Sequence, residues 1–181
     1  MLGGPIQQKG ALVIQGFLAG LFARRMPLSF NASITFEQSY GGVEGDSASL
    51  AEVLTILSDL ASAPLRQDLA VTGSVNQRGK VQAIGGLSHK AEGFYRACIA
   101  AGELTGTQGV VFPASNTVNL ILDDDVAEAV AAGNFHLYAA ATVDEALELF
   151  TGVPGADMYQ RVAKQLEEFD HALDERGVFK D

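Results

Sequence analysis

Apolar and polar positions alternate along this chain with two different periods, and the changes of period mark its elements. From Lys9 to Arg25 apolar residues fall at Leu12, Ile14, Leu18, Leu21 and Phe22, a helical spacing that Pro27 closes. Ser29 to Phe36 then sets Phe30, Ala32, Ile34 and Phe36 against Ser29, Asn31, Ser33 and Thr35, which predicts a strand. The turn Gly41-Gly42 leads to an apolar run, Leu50 to Leu57, predicting a helix from about Ser47 that ends before Pro64. Leu69 to Val75 and Lys80 to Ile84 read as a hairpin around Asn76-Gln77-Arg78-Gly79.

The second half reads as helix Gly86 to Ala101, buried strand Gly109 to Pro113, helix Asp123 to Ala132 and strand Phe135 to Ala141. Thr142 is placed to cap a helix from Val143 to Phe150. Thr151 to Gly155 looks like a linker, dividing residues 1–150 from a tail helix, Ala156 to Arg176. On that helix Val162, Leu166, Phe169 and Leu173 form one apolar stripe, which suits packing on the same domain or on a neighbouring subunit. Short strands mixed with helices in this order predict an α/β or α+β fold.

With 181 residues, 48 % of them hydrophobic and 19 % charged, the chain has enough apolar content for one core. A net charge of −10 and no basic run longer than Arg24-Arg25 argue against nucleic-acid binding. One cysteine, Cys98, excludes an intrachain disulfide and suits a reducing, cytoplasmic setting; its apolar neighbours suggest packing and not catalysis. No apolar run reaches the ~18 residues of a membrane span, and the start lacks the charged region of a signal peptide.

Two segments carry candidate chemistry. Glu44-Gly45-Asp46-Ser47-Ala48-Ser49 sets a serine between a glycine turn and a helix. There a hydroxyl serves as an N-cap or as a nucleophile beside unpaired backbone N–H groups. A serine nucleophile needs a base. His89, His136 and His171 carry no partner motif for a triad. Gly85-Gly86-Leu87-Ser88-His89-Lys90 offers a lysine instead, with Ile84 and Leu87 as apolar neighbours. A lysine of ordinary pKa ~10.4 acts as a base near neutrality only after burial lowers it by several units.

Four segments in register resemble the proteolytic domain of the Lon family, in its B-type branch. They are Phe36-Glu37-Gln38-Ser39-Tyr40, Glu44 to Ser49, Val71-Thr72-Gly73-Ser74, and Ile84-Gly85-Gly86-Leu87 with Lys90. The resemblance runs from about Gly3 to about Phe150. It implies a compact domain of the ribosomal-S5-domain-2-like type, working as a serine endopeptidase on unfolded proteins and peptides through a serine–lysine dyad. Ser47 would be the nucleophile and Lys90 its base. Thr72 would hold the amine, backbone N–H groups from Gly45 to Ser47 would stabilise the oxyanion, and Glu44 would lie near the site. Gly85 and Gly86 would let the lysine approach, and Asp46 stands where the other branch carries proline.

The same resemblance implies no metal and no cofactor in this chain, ATP and magnesium belonging to an ATPase domain outside it. It also implies a hexameric ring in the parent protein and no contact with nucleic acid or membrane. Family domains begin with strands upstream of Gly3-Gly4, so the chain is expected to be an excised, N-terminally shortened piece. Gly73 to Lys80 only superficially resembles a phosphate-binding P-loop: five residues separate Gly73 from Gly79, and Val81 follows the lysine. Two other functions stay open, a non-catalytic assembly fragment of such a protease and a small-molecule kinase of the galactokinase–homoserine kinase type. For the kinase, Gly45 to Ser49 would be the phosphate loop, against which Glu44 and Asp46 would repel phosphate.

Overall fold

A computed structural model describes residues 4–24, 27–36 and 41–175. The motif residues 37–40 and the expected helix ends at Arg25 and Arg176 lie outside them. In chain order the elements are α1 (Pro5–Phe22), α2 (Ser49–Leu60), β1 (Leu69–Val71), β2 (Ser74–Val75), β3 (Val81–Gln82), α3 (Leu87–Ala101), β4 (Gly109–Pro113), a short 3-10 helix (Ala114–Asn119), α4 (Asp124–Ala131), β5 (His136–Ala140), α5 (Val143–Thr151) and α6 (Gly155–Glu175).

β1, β4 and β5 form a parallel sheet in the order β1-β4-β5, with Val71 opposite Val111 and Val111 opposite Tyr138. β4 is buried along its whole length, as a central parallel strand covered on both faces must be. Alternation along the strands sends neighbouring residues into two cores. Val111, Leu69, Val71 and Tyr138 face α1, α2, α5 and α6. Val110, Ala70 and Leu137 face α3 and α4, around the fully buried Phe135. The molecule is thus a mixed α/β domain with the sheet as its middle layer.

α6 belongs to the larger core through Met158, Val162 and Leu166, which pack with α2 and α5. Phe169, further along the expected stripe, is partly exposed. The expected linker shrinks to Gly152, Val153 and Pro154, with Gly152 left-handed at the end of α5.

Three expectations need correction. Residues 29–36 form no strand, although their pattern alternates; among the described residues no neighbouring strand supplies the ladder bonds that such a pattern requires, and residues 31–36 are exposed. On α1, Leu12 points to solvent while Phe17 joins Ile14 and Leu18 in the core, so its face is rotated from the expected one.

The third correction concerns the hairpin. Leu69 to Val75 is not one strand: β1 pairs in parallel with β4, and only Ser74 and Val75 pair with β3. The break falls at Gly73, whose N–H donates to the Ser47 carbonyl at 2.8 Å and whose carbonyl accepts from the Leu50 N–H at 3.0 Å. A Cβ at Gly73 would stand 3.0 Å from Leu50 Cδ2 and 3.1 Å from Val81 Cγ1. Only glycine gives this close approach without displacing neighbours. The sheet therefore hands one residue's backbone to the serine turn.

Candidate active site

The serine turn rests on its neighbours on both sides. Gly45 adopts φ +94°, a left-handed conformation that glycine tolerates. The helix begins only at Ser49, with Ala48 as its cap residue, so the Ser47 hydroxyl does not cap α2. Ser49, the neighbouring serine, is buried and its Oγ accepts the Val75 N–H at 3.0 Å, which ties it to β2. Ser47 is half-buried and its side chain turns toward α3.

Lys90 lies in the first turn of α3. That helix starts from Gly86, left-handed at φ +68°, and the Lys90 N–H donates to the Gly86 carbonyl at 3.1 Å. From there Nζ reaches 3.0 Å from Ser47 Oγ and 3.2 Å from Thr72 Oγ1. The Thr72 hydroxyl donates to the Ser47 carbonyl at 3.4 Å, so its oxygen lone pairs are left to receive the amine. Thr72 itself is buried, and its N–H is paired to the Val111 carbonyl at 3.0 Å. Residues from three separate segments thus converge: Ser47 before α2, Thr72 after β1 and Lys90 on α3. Among the described residues, no carboxylate lies within ion-pair distance of Lys90.

Burial of Lys90 is not found. The residue is exposed, because Gly85, Gly86 and His89 around it are exposed too, and only Leu87 of its apolar neighbours is buried. The Glu44 side chain is turned toward α1. Its Oε1 accepts the N–H of Ile6 at 2.9 Å and that of Gly45 at 3.1 Å, so the carboxylate serves the N-terminus of α1, where the helix dipole favours an anion. Gly45 accordingly offers no spare donor to an oxyanion. The Asp46 and Ser47 amides take no acceptor among the described residues. Asp46 borders a cavity of about 360 Å³ shared with Lys9, Ser74, Gln77 and Arg78.

Cys98 is half-buried on α3, and burial raises its thiol pKa, so the reactive thiolate is disfavoured. His136 contacts the Gly106 carbonyl at 2.8 Å, far in the chain from the serine turn. His89 is near the Glu92 carboxylate at 3.8 Å, and neither histidine meets Ser47. Asn116 was not foreseen; it is a buried amide whose side chain holds both backbone groups of Ile84 ahead of the lysine helix. A lone asparagine after a strand carries no pattern by which to single it out.

Comparison with known proteins points to one family. Residues 37–151 match the family described as the Lon protease (S16) C-terminal proteolytic domain. A Lon protease homolog of Escherichia coli (strain K12) is 45 % identical over 148 residues, covering 82 % of this chain and 25 % of that protein. Another, of Haemophilus influenzae, is 39 % identical over 175 residues, 97 % of this chain and 29 % of its own length. An archaeal Lon protease of Thermococcus kodakarensis is 38 % identical over 120 residues, 66 % of this chain and 17 % of that protein. The chain therefore spans less than a third of the length of these curated relatives. Within that span, the match over 37–151 contains Ser47, Thr72 and Lys90, and the chain belongs to the Lon protease C-terminal proteolytic domain family.

Proposed function

We propose that this domain hydrolyses peptide bonds with Ser47 as nucleophile and Lys90 as its base, through an acyl-enzyme. The observation that carries the reading is the 3.0 Å approach of Lys90 Nζ to Ser47 Oγ, with no competing carboxylate among the described residues. A neutral Lys90 takes the Ser47 proton as Oγ bonds to the substrate carbonyl carbon. The Asp46 and Ser47 amides face the developing oxyanion. The ammonium then gives its proton to the leaving amine, and the C–N bond breaks. Water next attacks the acyl-enzyme, Lys90 takes a proton from it, and the serine leaves with that proton. Thr72 keeps the amine on Ser47 during both halves.

The exposure of Lys90 sets the condition for this chemistry. Its amine must lose water to become neutral, and a substrate strand or a neighbouring subunit laid over the dyad removes that water. Unfolded proteins or peptides are the substrates of this reading, and a homo-oligomeric ring, hexameric in the parent, supplies the enclosure. ATP and magnesium act in a separate ATPase segment. The residues here do not fit them: Gly73 to Lys80 is built into β2 and its turn, where Asn76 Oδ1 holds the N–H groups of Arg78 at 2.9 Å and Lys80 at 3.1 Å. The exposed lysine also supports a second reading, that the isolated domain is an inactive assembly unit until covered.

The test is labelling of the chain with a fluorophosphonate followed by peptide mapping, together with peptide cleavage by the longer protein. The expected result is adduct on Ser47, lost in Ser47→Ala. Adduct on Ser49, or cleavage retained by the Ser47→Ala longer protein, overturns the assignment. Labelling only in the longer protein favours the second reading.

A further inference from the structure

We infer that Asn116 is a positioning residue for the reaction, setting where Lys90 stands by gripping the backbone that precedes its helix. The inference rests on the dyad reading above. Asn116 lies in the 3-10 helix that follows β4, the central strand of the sheet, and is 7 % exposed. Its Oδ1 accepts the Ile84 N–H and its Nδ2 donates to the Ile84 carbonyl, both at 2.9 Å. One planar amide thus fixes both backbone groups of a single residue, as a neighbouring strand would.

Nothing else holds that stretch. Among the described residues, these are the only bonds from residues 83–86 to a distant part of the chain. Gly85 and Gly86 have no atom near enough to contact an added Cβ. α3 is packed on the sheet through Ala91, but the two glycines alone would leave its first turn free to shift, and a misplacement of ~1 Å at a reacting group costs on the order of a hundredfold in rate. The same segment makes three further ties to α3, one of them the ion pair between Asp123 and Arg96. The Ile121 N–H donates to Ser88 Oγ at 3.2 Å, and the Asp123 N–H to Glu92 Oε1 at 3.0 Å. Ser88 and Glu92 are one helical turn apart and bracket Lys90 in sequence. The segment from Asn116 to Asp123 therefore meets the lysine helix and the stretch before it at four points, and none of them touches the reacting atoms.

The test compares fluorophosphonate labelling of Ser47 across variants, with the inactivation rate constant, the binding constant and the pH profile measured for each. Asn116→Asp keeps the acceptor for the Ile84 N–H and loses the donor to its carbonyl. We expect it to lower the rate constant by roughly tenfold or more, to change binding by less than about twofold, and to move the ascending limb of the pH profile to higher pH as the amine gains water. Val118→Ser, on the same segment with Val118 86 % exposed, should behave as the parent chain. Val126→Ala, which opens the core under α4, should lower stability without moving the limb.

An unchanged rate constant in Asn116→Asp overturns the inference, as does a fall that Val126→Ala reproduces or that lies in binding alone. Where Asn116→Asp does not fold, Ser88→Ala, which removes the exposed bond from the Ile121 N–H, should show the same limb movement in smaller amplitude, and its absence overturns the inference. If the parent chain carries its label elsewhere than Ser47, the dyad reading fails first. If Ser47 is labelled and the variants match the parent, only the role of Asn116 fails.

Discussion

In the proposed reaction Lys90 is the base, and its Nζ stands 3.0 Å from Ser47 Oγ. Lys90→Arg keeps the charge and the reach but fixes the proton, since a guanidinium does not deprotonate in proteins. Peptide cleavage by the longer protein should fall as far in Lys90→Arg as in Lys90→Ala; an active arginine form would make the group a fixed cation. Thr72 offers a finer test at the same scale. Its Oγ1 sits 3.2 Å from Nζ, so Thr72→Val should slow serine labelling while Thr72→Ser, which keeps the hydroxyl, recovers most of it. Equal rates for Val and Ser would reduce Thr72 to a packing residue.

Elements were legible wherever one local signal decided them. Thr142 is such a case: its Oγ1 accepts the Glu145 N–H at 3.2 Å, while Glu145 Oε2 accepts the Ala141 N–H at 2.7 Å. Thr142→Ala should cost about 1 kcal/mol of stability, read from urea unfolding; no change would mean that water replaces the cap. The buried strand β4 and helices α3, α4 and α5 were readable on the same terms, from period and end signals. The 29–36 segment was misread because alternation states only which side chains share a face, and a strand also needs a partner. The split of β1 from β2 was hidden because the bonds that divert Gly73 come from Ser47 and Leu50, more than twenty residues earlier in the chain. Ser47, Thr72 and Lys90 are singled out by resemblance to a family; local rules alone leave the serine open between a cap and a nucleophile, and the lysine between a solvated side chain and a base. The exposure of Lys90 and the turning of Glu44 toward α1 depend on what stands beside them, which spacing does not encode.

At the scale of the molecule, α6 and the acid limb of stability are the measurable properties. Leu166 is 1 % exposed within the core shared with α2 and α5. Leu166→Ala should destabilise the domain by about 2–5 kcal/mol, and a much smaller loss would show that α6 is docked loosely. Arg66 and Asp68 join by two hydrogen bonds, 2.7 and 3.0 Å, and Arg66 also donates to the Thr107 carbonyl at 3.1 Å, clamping the start of β1 to the approach to β4. Hydrogen bonding from Arg66 holds the Asp68 carboxyl down at about 2, against 3.8 ordinarily. A depressed carboxyl stabilises the fold above the unfolded value, and that stabilisation drains as pH falls from about 4 toward about 2. With Arg66 41 % exposed, solvent screens the pair, so the change should stay below ~1 kcal/mol and should vanish in Asp68→Asn. An acid limb identical in that variant would place the protons elsewhere.

The backbone loan at Gly73 also has a consequence in time. Ser47 is held by a residue that is fixed only when the β1–β4 register is made, and Lys90 within that crossover and Asn116 just beyond it join the same frame. Contacts so distant in sequence close late, after helices have formed. A chain still emerging from synthesis would therefore carry a serine with no more reactivity than any other, and the proposed peptidase activity would appear only once the domain is folded. During refolding from urea, we predict that fluorophosphonate labelling of Ser47 appears after the helical circular-dichroism signal has recovered; labelling that keeps pace with helix formation would count against this order.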